Sequence, residues 1–264
     1  MMIYKADLND GFITSLFCLN RYYGITQNPT TEDFVIITKY YKYDLKNYIT
    51  ENFYNLKWKQ KLKILQQVIF ALENIHNQGI IHRDFHSGNI LCENKYDNYD
   101  IVINDLGISK LSTEVSENDN NYYGIIPYIA PEIFQGKKTN KYTKASDIYS
   151  FSIIMWELMT GRRPFLNRDY DTSLIIEIID GLRPPINTNA PEGYIKIMQE
   201  CWHYNPNKRP TASKRKYKEN IINNSNNNDK NTKKFKLNES YFNESNKKSN
   251  KINYISKTLE YDIN

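Results

Sequence analysis

The chain has 264 residues, of which 40% are hydrophobic, so it can bury the core of one large domain or two small ones. Its formal charge of +5 comes from the C-terminal tail, because the segment from Lys214 onward carries 12 basic and 6 acidic residues, against 23 and 24 before it. A near-neutral folded part argues against a nucleic-acid-binding domain, and three widely separated cysteines favour neither a disulfide framework nor a zinc site: Cys18, Cys92 and Cys201.

The N-terminal region contains an apolar run, 12–19, that is too short to span a bilayer and has no small-residue cleavage site. The sequence therefore predicts no membrane contact and a reducing compartment, the cytoplasm. A nuclear location is the alternative, because the basic run from Lys214 to Lys218 fits a nuclear address. The solvated end of a last helix would give the same charge pattern.

The first regular elements are predicted between residues 34 and 79. The β-branched run Phe34-Val35-Ile36-Ile37 predicts a strand that ends at Thr38, and the segment from Asp44 to Ile49 predicts one or two helical turns. A half-buried helix is predicted next, ended by Gly79 in a left-handed conformation. Its apolar stripe steps by four and three through Trp58, Leu62, Leu65, Ile69 and Leu72.

Three short strands and three further helices complete the predicted core. The strands are 80–81, 90–92 and 101–103, and a turn is predicted at 97–100. The helices are 151–159, which has no polar face of any width and should be buried, then 172–180 and 191–202. After about Ile222 the chain is rich in Asn, Lys and Ser, and we expect disorder there. Little β-α-β alternation is visible, so the predicted fold class is α+β.

The residues that can carry chemistry lie in the loops between these strands. Asp84 and Asn89, in His82-Arg83-Asp84-Phe85-His86-Ser87-Gly88-Asn89, offer a carboxylate that can accept a proton and an amide oxygen that can bind Mg²⁺. Asp105-Leu106-Gly107 follows the 101–103 strand, and Ala130-Pro131-Glu132 follows 25 residues after Asp105. In order and spacing these segments resemble the catalytic loop, metal-binding motif and activation-segment end of eukaryotic-type protein kinases. The resemblance covers about 22–216 and is greatest to the tyrosine-kinase-like branch.

The resemblance implies a role for each motif residue. Asp84 is expected to be the catalytic base, with Asn89 and Asp105 as the ligands of Mg²⁺. For ATP, the resemblance implies that Thr38 is the gatekeeper and that Tyr40 and Tyr41 form the adenine hinge. Leu91 would be the floor of the adenine pocket, although a packing role would also explain it. The supporting positions are His82, Arg83, Asp147 as the brace of the catalytic loop, and the pair Glu132 and Arg209.

Regulation by phosphorylation is a further expectation. Arg83 should receive a phosphate carried by one of the hydroxyls of the activation segment, because a guanidinium binds phosphate strongly. The candidate hydroxyls are Ser109, Ser112, Thr113, Ser116, Tyr122 and Tyr123.

The N-terminal part departs from the family. No two of the ten glycines have the Gly-x-Gly spacing of a phosphate-covering loop, and no carboxylate between Asp10 and Glu32 can pair with a strand lysine. Two readings of Lys5 stay open: a solvated N-terminal lysine, or the remnant of that strand lysine. The predicted domains are therefore a partial kinase N-lobe at 1–41, a kinase C-lobe at 42–220 and a disordered tail at 221–264.

The function implied by the resemblance is transfer of the ATP γ-phosphate to a protein hydroxyl. Serine or threonine is favoured over tyrosine, although His86 and Ile125 stand where serine/threonine kinases usually carry lysine and threonine. Two alternatives stay open: a pseudokinase-like binding module, and a truncated kinase fragment without an independent role. The expected partners are a protein substrate and a partner or activator kinase, with no nucleic acid and no membrane.

Overall fold

The three-dimensional description is a computed structural model, which describes residues 20, 22–95, 98–112, 122–135, 142–186 and 190–213. Some predicted features fall outside these residues: Lys5, the apolar run 12–19, Thr113, Ser116, the basic run from Lys214 to Lys218 and the tail at 221–264.

The first two strands form an antiparallel hairpin. β1 (Tyr22–Gln27) pairs with β2 (Phe34–Thr38), with Ile25 opposite Ile36 and Gln27 opposite Phe34. This confirms the strand predicted at 34–38. The hairpin is poorly covered by the rest of the described chain, since Phe34 is 58% exposed.

Two further sets of strands hold the polar loops side by side. β3 (Tyr43–Asp44), β5 (Ile90–Lys95) and β6 (Asn98–Ile103) form an antiparallel sheet in the order β3-β5-β6, and β4 (Ile80–Ile81) pairs with β7 (Lys110–Leu111). The loop 82–89 lies between β4 and β5, and the loop 104–109 lies between β6 and β7. Because β4 pairs with β7 and β5 pairs with β6, both ends of one loop are tied to the ends of the other.

The turn between β5 and β6 is shorter than the polar sequence 97–100 predicts. Lys95 pairs with Asn98, so strand β6 already begins within the segment predicted as a turn. The turn predicted at 97–100 is therefore wrong from Asn98 onward. The pairing with β5 outweighs the turn propensity of these polar residues and holds them in a strand.

The described helices are α1 (Leu45–Asn52), α2 (Trp58–Asn77), α3 (Pro131–Phe134), α4 (Lys144–Thr160), α5 (Thr172–Ile179) and α6 (Glu192–Cys201). Asp44 caps α1 by accepting the backbone N–H of Asn47 over 2.7 Å. Gly79 follows α2 with a φ of +77°, which confirms the predicted left-handed end. All predicted helices are present, whereas α3 was not predicted.

The hydrophobic core forms around α4. Its residues Phe151, Ile153 and Leu158 are fully buried, which confirms the prediction of a helix covered on all sides. α2 packs against it, and α6 adds a hydrogen bond from the Tyr194 hydroxyl to the Met155 carbonyl over 2.6 Å. Small sheets and a helical core that are segregated along the chain make the fold α+β, as predicted. Within the described ranges, no helix has both the length and the apolar character needed to cross a membrane.

A charged side chain is buried in this core. Lys61, on α2, is 6% exposed, and its ammonium lies 3.9 Å from the centroid of the Phe53 ring and 5.1 Å from that of Trp58. Burial lowers the pKa of Lys61 to about 8. Cation–π contacts offset only part of the desolvation. Lys61 therefore opposes folding at neutral pH.

Lys61→Met should stabilise the protein at pH 7 by about 1–3 kcal/mol, because the folded state no longer has to bury an ammonium. The folded pKa is lower than the unfolded one, so the unfolded state binds more protons between pH 8 and about 10.4. Wild-type stability should therefore rise through this window, and the advantage of the variant should shrink. Urea denaturation at pH 7 and pH 10 measures both effects.

The exposed Lys59→Met, two positions earlier on the same helix, is the control and should change stability by less than about 0.5 kcal/mol at either pH. A gain from Lys61→Met of equal size at both pH values would show that the origin is packing and not charge burial.

Candidate functional site

Asp147, in the first turn of α4, holds the start of the loop 82–89. Its Oδ2 accepts the backbone N–H of His82 over 2.9 Å and lies 2.8 Å from His76 Nε2, and its Oδ1 accepts the backbone N–H of Arg83 over 3.1 Å. Asp147 is 1% exposed. Arg83 has a φ of +73°, an uncommon value for a residue with a Cβ. The Asp147 carboxylate thus stabilises a strained turn directly before Asp84.

His82 joins this loop to the neighbouring one. The side chain is fully buried, its ring packs on Phe85, and its Nε2 lies 3.2 Å from the Asn104 carbonyl oxygen. Burial lowers the pKa of His82, so the ring is neutral at pH 7 and Nε2–H donates to that carbonyl. His82 therefore packs in the core and links the loops 82–89 and 104–109 by a hydrogen bond.

The Asp84 carboxylate is held by residues of its own loop. Asn89 donates from Nδ2 to the Asp84 backbone oxygen over 2.9 Å and to Oδ2 over 3.2 Å. Burial raises the pKa of Asp84, but the nearby His86 side chain and the Asn89 amide outweigh it and keep the pKa below its ordinary value. Asp84 is ionised at neutral pH and can accept a proton.

Asp105 lies beside this loop because the flanking strands pair. Asn104 donates its backbone N–H to the Asn89 carbonyl over 2.8 Å, and Asp105 Oδ1 accepts the Gly107 N–H over 3.2 Å. Asp105 has a φ of +63°, so its backbone is strained like that of Arg83. The strain therefore occurs at the residue whose own carboxylate has a candidate role.

The side chains of Asn89 and Asp105 fit Mg²⁺. Because the Asn89 amide nitrogen is used by Asp84, the amide oxygen is the atom that Asn89 can offer to a metal ion. Amide and carboxylate oxygens are the ligands that Mg²⁺ prefers, and Mg²⁺ takes few protein ligands because it keeps water and phosphate oxygens. In the part of the chain that the structure describes, no group of three or more His, Cys, Asp or Glu side chains is arranged to hold a metal.

Glu132 and Arg209 form a bidentate ion pair. Nη1 and Nη2 of Arg209 each donate to one Glu132 oxygen over 2.7 Å. The Arg209 side chain is fully buried, and its remaining donors reach the carbonyl oxygens of His203 and Ala145. A buried guanidinium needs all of these acceptors. The pair ties α3 to the segment that follows α6.

Arg83 lies between two aromatic rings. Its guanidinium carbon is 4.7 Å from the Tyr123 ring centroid and 4.8 Å from that of Tyr142, and Nη1 donates to the Ile108 carbonyl over 3.3 Å. The Tyr142 hydroxyl lies 2.8 Å from both the backbone nitrogen and the backbone oxygen of Tyr123. A phosphate bound by Arg83 would have to share the guanidinium with these rings.

The residues expected to contact adenine lie where β2 leads into β3. Thr38 ends β2 and is exposed, Tyr40 is 83% exposed, and Tyr41 is buried at 9%. Leu91 is half-buried on β5, opposite Asp44. The structure therefore places Thr38, Tyr40 and Tyr41 in the connection from β2 to β3, with Tyr40 exposed, and Leu91 on the strand that pairs with β3. Lys5 lies outside the described residues.

Lys39, in this junction, is engaged with acidic residues. Its Nζ hydrogen-bonds Asp100 Oδ2, lies 3.8 Å from Glu93 Oε2 and is 4.3 Å from the Tyr41 ring centroid. The hydrogen bond to Asp100 raises the pKa of Lys39. Sequence reasoning did not find this cluster, which fixes the junction to the β5–β6 hairpin.

Glu157 is a buried residue near the site that sequence reasoning also missed. It is 3% exposed within α4, close to Ser87 of the loop and to Tyr128. Burial raises the pKa of Glu157 to about 7, although the hydroxyls of Tyr128 and Ser87 oppose the rise. The available signal was the single charged residue within the predicted buried segment 151–159.

Comparison with known proteins gives a family. The family model "Protein tyrosine and serine/threonine kinase" matches residues 18–217. A provisionally named serine/threonine-protein kinase/receptor of Acanthamoeba polyphaga mimivirus is 36% identical over 157 residues, which are 59% of this chain and 9% of the viral protein. A serine/threonine/tyrosine-protein kinase of Arabidopsis thaliana is 31% identical over 182 residues, 68% of this chain and 45% of the plant protein. The chain thus spans less than half the length of these curated relatives.

Glu157→Gln should stabilise the protein at pH 8 by about 1–3 kcal/mol, because a neutral amide replaces a buried carboxylate. The folded pKa of about 7 is above the unfolded value, so the folded state binds more protons between pH 4.5 and 7 and wild-type stability falls as pH rises through that window. Denaturation curves at pH 4.5 and pH 8 should show the gain only at pH 8. Exposed Glu51→Gln serves as control, and a gain that persists at pH 4.5 would rule out the carboxylate charge as its cause.

Proposed function

Because the chain belongs to the protein tyrosine and serine/threonine kinase family, we propose that it transfers the γ-phosphoryl group of ATP to a hydroxyl of a protein. The observation that carries the proposal is the Asp84 carboxylate, kept ionised and bonded to Asn89, with Asp105 on the adjacent loop. These three side chains are the ones that phosphoryl transfer itself needs, whereas His82, Asp147, Glu132 and Arg209 support the fold around them.

In the proposed reaction the oxygen of the substrate hydroxyl attacks the γ-phosphorus. The hydroxyl proton passes to Asp84, the bond between the γ-phosphorus and the bridging oxygen breaks, and ADP leaves with the electron pair. Asp84 orients the hydroxyl, and its low pKa makes it a modest base that is fully ionised at neutral pH. Positioning therefore contributes more than basicity.

Asn89 and Asp105 would hold Mg²⁺ through their side-chain oxygens. Bound there, Mg²⁺ supplies positive charge next to the phosphate oxygens on which negative charge develops. The contribution of this chain is to keep both oxygens at a fixed spacing, and the strand pairs β4–β7 and β5–β6 support that role.

The adenine of ATP would lie at the junction formed by Thr38, Tyr40, Tyr41 and Leu91. The half-buried Leu91 and the end of β2 support this placement. Lys39 is hydrogen-bonded to Asp100 and lies 3.8 Å from Glu93, so Lys5 stays the candidate for contacting the phosphates.

The substrate we propose is a protein with serine or threonine hydroxyls. The viral relative is named a serine/threonine-protein kinase/receptor and the plant relative a serine/threonine/tyrosine-protein kinase, and the serine and threonine in both names support this choice. An upstream kinase acting on the activation segment is the proposed regulator. Cys92 is a buried free thiol, which fits a reducing compartment such as the cytoplasm.

A docking module that does not transfer phosphate is the second candidate. It is favoured by the absence of any Gly-x-Gly spacing in the sequence and by the engagement of Lys39 with acidic residues. Nucleotide binding separates the two candidates.

Mg·ATP should raise the melting temperature of the purified chain by about 5–10 °C at a hundredfold excess over Kd, since ligand binding at that excess stabilises by about 2.7 kcal/mol. Asp105→Asn should abolish most of the shift, because it removes a metal ligand, and the exposed Asp169→Asn should retain it. No shift of the wild-type chain at saturating Mg·ATP would favour the docking module.

Transfer itself is tested with radiolabelled ATP and dephosphorylated casein. Asp84→Asn should retain the Mg·ATP shift but lose at least about 100-fold in transfer rate, because it removes the proton acceptor without removing a metal ligand. Equal rates for wild type and Asp84→Asn would contradict the proposed role of this carboxylate.

A further inference from the structure

His86 is a buried side chain that the transfer reaction, as derived above, leaves without a role. It is 4% exposed and lies two residues after Asp84. Gly88 donates its backbone N–H to His86 Nδ1 over 3.0 Å, so Nδ1 is an acceptor and the ring proton lies on Nε2. Nε2 is 3.5 Å from Asp84 Oδ1, and it makes no hydrogen bond among the residues that the structure describes.

The imidazole is confined in this position. A Cβ placed on Gly88 would lie 2.9 Å from His86 Cε1, so the missing side chain at Gly88 makes room for the ring. The Tyr128 ring packs on it with centroids 5.8 Å apart. The Nε2–H group is therefore kept next to the Asp84 carboxylate.

The two oxygens of Asp84 have different neighbours. Asn89 donates to Oδ2 over 3.2 Å, whereas Oδ1 has His86 Nε2 at 3.5 Å. Oδ1 also lies close to Gly124, because a Cβ placed there would be 2.9 Å away. Gly124 has a φ of +108°, which favours glycine, and it begins the segment that leads to α3. Oδ1 thus lies between His86 and the backbone of that segment.

We propose that His86 is a positioning residue, whose Nε2–H holds Oδ1 of Asp84 while Asn89 holds Oδ2. The inference rests on the proposed phosphoryl transfer. A carboxylate held through one oxygen can still rotate about its Cβ–Cγ bond, and a second donor on the other oxygen removes that freedom. The distance of 3.5 Å shortens to a hydrogen bond when substrate and nucleotide are bound, as catalytic contacts commonly do. A fixed carboxylate orients the incoming hydroxyl.

The kinetic test compares two substitutions of His86 in the full chain. Gln places an N–H donor where Nε2 lies, whereas Asn retains an acceptor for the Gly88 N–H but has no donor that reaches Asp84. With Mg·ATP and dephosphorylated casein, His86→Asn should lower kcat about 10- to 100-fold and change KM for ATP by less than about twofold. His86→Gln should restore kcat to within about fivefold of wild type.

A matched control is available at His203. Its Nδ1 accepts the backbone N–H of Asn205 over 3.0 Å, which repeats the contact between His86 and Gly88 at a place that does not touch Asp84. His203→Asn should leave kcat within about twofold of wild type. The proposal is overturned if His86→Asn keeps wild-type kcat, or if His86→Gln and His86→Asn lose kcat equally while both melt like the wild type.

A second measurement does not depend on activity. In ¹⁵N-histidine NMR, the resonance removed by His86→Asn should show a protonated Nε2 and an unprotonated Nδ1, and Asp84→Asn should shift its Nε2 signal. A proton on Nδ1, or no response to Asp84→Asn, overturns the proposal whether or not the chain is active. If both signals are as expected but wild type transfers no phosphate, the proposed function fails and the contact between His86 and Asp84 stands.

Discussion

The site depends on one buried carboxylate. Asp147 lies in the first turn of α4, where the helix dipole favours a negative charge, and its two oxygens serve His76 and the backbone N–H groups of His82 and Arg83. An isolated buried carboxylate would cost several kcal/mol, so these donors are a condition for its presence. Through them the buried core helix α4 fixes the turn before Asp84.

A second constraint acts from the sheets. The pairs β4–β7 and β5–β6 enclose the loops 82–89 and 104–109, and the bond between Asn104 and Asn89 joins the loops at the end next to the β5–β6 pair. Neither loop has regular structure beyond one short 3₁₀ turn at Ser87–Asn89. Their precision comes from the elements that anchor them, which is why Arg83 and Asp105 can keep strained φ angles.

Sequence reasoning reached the helices and the motif residues because both depend on short-range patterns. The apolar stripe from Trp58 and the spacing of Asp84 and Asn89 are each visible within a short stretch of sequence. It did not reach α3, which has four residues and no period, or the contact of Lys39 with Asp100, whose partners are 61 positions apart. The surroundings of Glu157 likewise include Ser87 and Tyr128, which come from other parts of the chain. Such properties arise from tertiary packing, which local patterns do not encode.

The pair of Glu132 and Arg209 has a consequence for synthesis. The partners are 77 positions apart, and α4 lies entirely within the loop that they close. A ribosome therefore produces the whole core helix before the cation that neutralises Glu132. Contacts between distant positions form late, because loop closure comes first. During translation the C-terminal half of the fold must wait for Arg209, and a nascent chain that stalls earlier presents an unfinished core to chaperones and proteases.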